Sequence, residues 1–156
     1  MSFSLTSSAF DDGSRIPMKY TGEGEDLSPP LSWDEQPQGT QELVLIVDDP
    51  DAPDKTWVHW VAYGISPERS SLAEGVSSVK QEEDAPFPEG KNSWPNQGYQ
   101  GPMPPPGHGT HRYYFKLYAL DKRLNLDPGL TKEQLLKEIA GHIIGQAELM
   151  GTYSRD

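Results

Sequence analysis

Three runs of β-branched, aromatic and aliphatic residues constrain the fold of this 156-residue chain more than any other feature. The run at 42–47 is continuously apolar after Glu42, which predicts a strand buried on both faces of a sheet. The runs at 57–65 and 111–120 also have the composition of strands. No helical pattern alternates with these runs in βαβ order, so the sequence predicts antiparallel sheets packed as a sandwich.

A helical pattern follows near the C-terminus. Thr131 to Gln134 match a capping box, which predicts the start of a helix. Apolar residues continue at helical spacing: Leu135, Ile139, Ile143, Ala147 and Met150. The sequence therefore predicts one helix that carries His142 and ends at Gly151. A shorter strand is expected at 16–20, and the whole chain, 1–156, is expected to form a single domain.

Composition excludes several classes of function. The net charge is −11 and the cations are scattered, which disfavours nucleic acid and anionic membranes as partners. No run of 18 apolar residues exists to span a bilayer, and the start lacks the pattern of a signal peptide. With no cysteine there is no disulfide framework or thiolate site. We expect a cytoplasmic protein.

A proline-rich segment at 84–108 is too long for an ordinary connection. It contains seven prolines together with Phe87, Trp94 and Tyr99. Structureless loops of this length in compact domains are usually functional or disordered. The aromatic residues and the scarcity of charge predict an ordered loop packed on the body of the protein.

Acidic and aromatic residues between the first two strands indicate one half of a site. Asp49 ends the first strand, His59 lies near the start of the second, and His111 begins the third. If these strands are neighbours, a carboxylate lies beside two imidazoles at one end of the sheet, with Trp57 and Tyr113 as walls. Strict alternation would place Trp57, His59, Val61 and Tyr63 on one face.

Two chemistries fit this group. A carboxylate favours the imidazolium form of a neighbouring histidine and raises its pKa, so the site could hold a small oxyanion. Neutral imidazoles with one carboxylate could instead bind a divalent metal ion. His108 is expected at the rim of the loop, and Asp51 is expected to fix its turn by accepting backbone N–H bonds.

The chain resembles the phosphatidylethanolamine-binding protein (PEBP) family, whose animal members include the Raf kinase inhibitor protein. The matching motifs are Asp49-Pro50-Asp51-Ala52-Pro53, Trp57-Val58-His59-Trp60 and Gly107-His108-Gly109-Thr110-His111-Arg112-Tyr113. The segments at 28–33 and 147–153 are similar to the bacterial YbhB/YbcL-like branch. The resemblance covers essentially the whole chain and implies a mainly β, Greek-key sandwich of antiparallel sheets with a C-terminal α-helix.

The resemblance also implies an anion-binding pocket and favours the oxyanion over the metal. Matched position by position, the implied ligand-binding residues are Asp49, His59, His111, Tyr113, Ala52, Pro53, Trp57, Gly101, Pro104 and Pro105. The implied ligands are small anions and phosphorylated head groups, with no cofactor and no catalytic residue. Bacterial relatives are often homodimers. Met103 and Gln100 depart from the bacterial pattern at the mouth of the pocket.

Two other functions remain alternatives. One is a metal-assisted hydrolase that uses Asp49, His59 and His111 as ligands. The other is an inhibitor or scaffold that acts on a kinase or protease through its surface, with the acidic segments 21–35 and 82–89 facing a basic partner. Such charged runs are more often solvated surface.

Overall fold

In the computed structural model, residues 2–79 and 85–155 are described, and they form two antiparallel β-sheets and one α-helix. The strands are β1 (Ser4–Thr6), β2 (Leu31–Asp34), β3 (Glu42–Asp49), β4 (Trp57–Ile65), β5 (Ser71–Leu72), β6 (His111–Leu120) and β7 (Ile143–Tyr153). The helix α1 spans Lys132–Ile139. The expected fold class, mainly β with two antiparallel sheets and one helix near the C-terminus, is confirmed.

The two sheets share one core. The larger sheet has the order β4-β3-β6-β7 and the smaller sheet the order β1-β2-β5. Leu31 and Trp33 of the smaller sheet pack in the same cluster as Val47 and Phe115 of the larger one. A second cluster lies on the other face of the larger sheet, where Leu135 of α1 covers β3. All eight residues of β3 are buried, which confirms the strand predicted from its continuous apolar run.

The C-terminal helix is shorter than predicted. The capping box is present: the Thr131 hydroxyl accepts from the backbone N–H of Gln134, and the Gln134 side chain accepts from the backbone of Thr131. However, α1 ends at Ile139, and Gly141 adopts φ +84°, a left-handed conformation typical of a residue that terminates a helix. His142 therefore lies outside the helix, in the turn that leads to β7.

Residues predicted to continue the helix form the edge strand β7, paired with β6. Their apolar spacing fits two periods. Ile143, Ala147 and Met150 follow Ile139 at helical intervals, but the buried residues from 147 onward alternate at Ala147, Leu149, Gly151 and Tyr153. Period two is the strand pattern, and pairing with β6 satisfies the backbone groups on one side of β7. On the other side, Met150 and Thr152 bond to residues 12–16.

The strand predicted at 16–20 is also wrong. A single 3₁₀ turn spans Met18–Tyr20. Pro17 precedes it and has no N–H to donate to a sheet. Ile16 instead donates its backbone N–H to the carbonyl of Thr152 at the end of β7, over 2.8 Å.

The proline-rich loop is ordered and covers the edge of β4. Its described part starts at residue 85, since 80–84 lie outside the described residues. Backbone N–H groups of Gly90 and Ser93 donate to carbonyls of Val61 and Val58, over 2.8 and 2.9 Å. The N–H of Gln100 donates to the carbonyl of His59 over 3.1 Å. These bonds satisfy an otherwise exposed strand edge and bring the loop over the candidate site.

Candidate ligand-binding site

One end of the larger sheet collects the residues predicted to form a site. Because β3 runs antiparallel to β4 and β6, its carboxyl end lies beside the amino ends of both neighbours. This arrangement brings Asp49 together with His59, His111 and Tyr113. Asp49 lies directly opposite Trp57 in the β3–β4 pairing. The convergence expected from the positions of these residues in their strands is therefore present.

A β-bulge in β4 orients His59. Val47 pairs with Trp60, and the next residue of β3 pairs with Val58, so His59 has no partner of its own on β3. The extra residue shifts the alternation of side chains between the two faces. Val58 and Val61 consequently pack beneath α1, whereas His59 lines the cavity on the opposite face. The expectation that His59 shares a face with Val61 is wrong for this reason.

Asp49, His111 and His108 form a hydrogen-bonded chain. His111 Nδ1 donates to Asp49 Oδ2 over 2.6 Å, with both side chains almost fully buried. His111 Nε2 lies 2.6 Å from His108 Nδ1, so one of these two nitrogens donates to the other. His108 is exposed and reaches the site only through His111. Both ring nitrogens of His111 are thus engaged, which fixes the ring.

His59 is held as a neutral imidazole. Its Nδ1 lies 2.7 Å from the backbone carbonyl oxygen of Gln100, and the ring is 3% exposed. Burial lowers the pKa of His59 to about 4, although the Gln100 carbonyl and the nearby carboxylate of Asp49 oppose this shift. The expectation that a neighbouring carboxylate would keep this histidine cationic is therefore wrong, because desolvation outweighs the attraction.

The site lies in a cavity of about 340 Å³. Every predicted site residue except Gly101 lines it: Asp49, Ala52, Pro53, Trp57, His59, Pro104, Pro105, His111 and Tyr113. Two further side chains complete the wall, Trp94 and Met103. The ring of Trp94 stands edge-on to Trp57 and His59, with centroids 5.5 and 5.2 Å apart. The sequence signal that could have placed Trp94 in the site is its position as an aromatic residue within the proline-rich loop.

Gly101 lies behind the cavity wall. Its N–H donates to Asp26 Oδ1 over 2.7 Å, and both residues are buried. A Cβ at this position would overlap the carbonyl oxygen of Tyr20 and would lie 2.9 Å from the Tyr99 hydroxyl. Gly101 therefore permits a close approach of chain segments that a larger residue would separate. Asp26, expected on a solvated acidic loop, is instead part of this buried cluster.

The hydroxyl of Tyr113 is the neutral polar group opposite the histidines. Burial raises the pKa of this hydroxyl above its usual range, and the nearby Asp49 carboxylate adds to the shift. It therefore stays protonated and can donate a hydrogen bond to a ligand. The ring of Tyr113 meets His59 edge-on, with centroids 5.2 Å apart.

Asp51 fixes the turn that carries the predicted prolines. It accepts from the backbone N–H of Arg112 over 2.9 Å and from the same residue's guanidinium over 2.8 and 2.9 Å. These bonds attach the turn after β3 to the start of β6. The Ala52–Pro53 peptide bond is trans; within the described ranges the cis bond is at Trp94–Pro95.

The metal alternative has no ligand set among the described residues. No group of three His, Cys, Asp or Glu side chains in 2–79 and 85–155 is arranged to hold a metal ion. Both nitrogens of His111 are engaged, so of the two imidazoles only His59 keeps a ring nitrogen, Nε2, that could coordinate a metal ion. This arrangement suits a hydrogen-bonded ligand better than a coordinated cation.

Comparison with known proteins agrees with this geometry. The sequence model of the phosphatidylethanolamine-binding protein family matches residues 6–154. A UPF0098 protein of Methanothermobacter thermautotrophicus is 48% identical over 151 residues, which are 97% of this chain and 98% of the relative.

Two crystal structures have closely similar folds. A phosphatidylethanolamine-binding protein homolog from Chlamydia trachomatis, CT736, has a TM-score of 0.90 at 46% identity, with 99% of each chain covered. YbcL of Escherichia coli, described as a member of the mammalian PEBP family, has a TM-score of 0.91 at 26% identity over the full length of both chains. On sequence and fold together, this chain belongs to the phosphatidylethanolamine-binding protein family.

Proposed function

We propose that this protein binds a small oxyanion or a phosphorylated head group in the cavity lined by Asp49, His59, His111 and Tyr113. The observation that carries the proposal is the convergence of these four side chains, from three strands, on one cavity. Its volume of about 340 Å³ lies at the lower end of the range typical of small-molecule sites.

Local hydrogen bonds must hold such a ligand against the charge of the whole chain. The net charge is −11, so the protein's overall field repels anions. Within the cavity, Tyr113 supplies a hydroxyl donor, and the ring of His111 is fixed by its bond to Asp49. The apolar walls formed by Trp57 and Pro53 exclude water and strengthen these bonds.

Calorimetric titration with inorganic phosphate tests the proposal. His111→Ala should weaken phosphate binding about tenfold or more, because it removes the hydrogen-bond partner of Asp49 and leaves a buried, unpaired carboxylate that repels an anionic ligand. Tyr113→Phe retains the ring and its packing, and should weaken binding about five- to tenfold through loss of the hydroxyl.

His142→Ala provides the matched control. His142 makes the same kind of bond as His111, with Nδ1 3.0 Å from Asp121 Oδ1, but it lies on the surface. Its removal should leave phosphate affinity unchanged. No measurable phosphate binding by the wild type, or equal affinities for wild type, His111→Ala and Tyr113→Phe, would refute the proposal.

The proposal extends to the location, partner and oligomeric state of the protein. The chain 1–156 acts as one cytoplasmic domain without catalytic chemistry, and ligand occupancy modulates a kinase or another partner protein, with a homodimer as the form in solution. No helix in the described part of the chain is long and apolar enough to cross a bilayer. A Mycobacterium tuberculosis relative, 43% identical over 153 residues, carries the name of a lipoprotein, LppC, so cell fractionation is the direct test of location.

The inhibitor alternative rests on acidic surface. Residues 82–84 of one acidic segment lie outside the described residues, and Asp26 in the other segment is buried. The oxyanion cavity is therefore the better supported function. Sedimentation of the purified protein with and without phosphate tests the homodimer directly.

A further inference from the structure

A second cleft lies on the other face of the larger sheet. Asp48 and Asp49 are consecutive in β3, so their side chains point to opposite faces. Asp49 lines the candidate site, whereas Asp48 lines a cleft of about 190 Å³. The polar residues of this cleft come from β3, β6, β7, α1 and the turn before β4: Asp48, Thr56, Tyr114, Lys116, Lys132 and Glu148.

A buried carboxylate with two ammonium groups forms one side of the cleft. The side chain of Asp48 is 3% exposed, and Lys132, the first residue of α1, donates to its Oδ2 over 2.7 Å. The Lys116 ammonium lies 3.6 Å from Asp48 Oδ1, which is too long for a hydrogen bond. Two cations thus surround one anion, and within the described residues the Lys116 ammonium donates no hydrogen bond.

Glu148 carries the opposite charge in the same cleft. It lies directly opposite Lys116 in the β6–β7 pairing, so the two side chains share one face of the sheet. Opposite charges in this arrangement often pair, but the Lys116 ammonium is turned toward Asp48 instead. Among residues 2–79 and 85–155, no hydrogen bond or ion pair is made to the Glu148 carboxylate. The cleft therefore presents a cation with unused donors and an unpaired carboxylate.

Two hydroxyl groups add hydrogen-bond donors to the cleft. The Tyr114 hydroxyl accepts from the Arg112 guanidinium over 3.2 Å, which leaves its own proton free for a ligand. The Thr56 hydroxyl makes no hydrogen bond within the described part of the chain. A carboxylate accepts up to about four hydrogen bonds, so the Lys116 ammonium and these hydroxyls can serve one carboxylate together.

We propose that this cleft binds a small zwitterion of the amino-acid type, with its carboxylate at Lys116 and its ammonium group at Glu148. A simple anion would face the like charge of Glu148, and a simple cation would face that of the lysines. The cleft has the volume of about six water molecules in the liquid, which matches alanine with its about six non-hydrogen atoms. Binding here is independent of the phosphate cavity on the other face of β3.

An NMR titration of the intact, isotope-labelled protein tests the proposal with L-alanine as the probe. At pH 7, alanine should shift the backbone amide signals of Thr56, Lys116 and Glu148 along one saturation curve. The expected dissociation constant is on the order of 1 mM, since the probe is so small. Propionate lacks only the amino group of alanine, and ethylammonium lacks only the carboxylate. At constant ionic strength, each should bind at least about tenfold more weakly, because it leaves one charged group of the cleft without a partner.

Two substitutions test the roles of the charged side chains. Lys116→Gln and Glu148→Gln each remove one charge and should raise the dissociation constant for alanine at least about fivefold. Glu138→Gln, at an exposed position of α1 outside the cleft, should leave it unchanged. Equal affinities for alanine and its two analogues, or for the three variants, would overturn the proposal. So would signal shifts confined to His59 and Tyr113 in the other cavity, or no shifts at about 100 times the expected dissociation constant.

Discussion

The substitution Gly101→Ala tests whether Gly101 serves packing or ligand binding. The family resemblance implies that this residue belongs to the pocket, whereas the structure places it behind the cavity wall. The added methyl group would overlap the carbonyl oxygen of Tyr20 and lie 2.9 Å from Asp26 Oδ1 and from the Tyr99 hydroxyl. All of these neighbours are buried. The backbone carbonyl cannot move aside as a flexible side chain could, so the surrounding segments must separate.

The cost of this substitution follows from two contributions. Forcing an extra carbon into a packed interior typically costs about 1–3 kcal/mol. Two buried hydrogen bonds are displaced as well, Gly101 N–H to Asp26 over 2.7 Å and Tyr99 hydroxyl to the Tyr20 carbonyl over 2.6 Å, at about 1 kcal/mol each. We expect the free energy of unfolding to fall by about 3–5 kcal/mol, measured by urea denaturation with fluorescence detection.

Gly22→Ala is the matched control in the same region. Its Cβ would meet the Met103 sulfur at 2.9 Å, but that side chain is 43% exposed and can swing away. The expected cost is below about 1 kcal/mol. Equal stabilities for the two variants would refute the packing argument. A Gly101→Ala protein of normal stability but with weakened phosphate binding would place Gly101 in the ligand site instead.

Substitutions at two further positions test an ion pair and a backbone conformation outside the cavity. The Arg112 guanidinium lowers the pKa of Asp51 to about 2 from an ordinary 3.8, so this pair contributes stability above pH 4 that is lost as the pH falls toward 2. Asp51→Asn should lower the free energy of unfolding by about 1 kcal/mol at pH 7. This value is discounted for solvent screening because the carboxylate is 27% exposed. The difference in stability between the variant and the wild type should vanish near pH 2. Gly141→Ala should lower the free energy of unfolding by about 1–2 kcal/mol, because Gly141 has a φ of +84°. Gly141→Asn should lower it less, because asparagine adopts the left-handed conformation more readily than alanine. Equal losses for the two variants in thermal denaturation would contradict the backbone argument.

The strands and most of the site could be predicted because their signals are local. Continuous apolar or aromatic composition marks β3, β4 and β6 whatever their partners are. Asp49 and His111 stand at the ends of such strands, so antiparallel pairing alone brings them together. The capping box at Thr131 is equally local, since it involves side chains and backbone within one turn.

The predictions from sequence failed where the local pattern fits two structures equally well and a contact with a distant segment decides between them. Residues 143–153 fit a helix and a strand by spacing, and the free edge of β6 selects the strand. The face occupied by His59 depends on an extra residue in β4 that appears only in its register with β3. Trp94 joins the cavity because the proline-rich loop lies along β4.

Residue types and their order along the chain thus specify the sheets, the start of the helix and the chemical groups available to a ligand, because composition and periodicity act over a few residues. Only the folded arrangement decides the protonation of those groups. The imidazole of His59 is neutral because burial outweighs the opposing effects of the Gln100 carbonyl and the Asp49 carboxylate, and this balance is not encoded in the residues beside His59 in the sequence. Desolvation depends on every atom packed around a group, so it emerges only when the chain is folded.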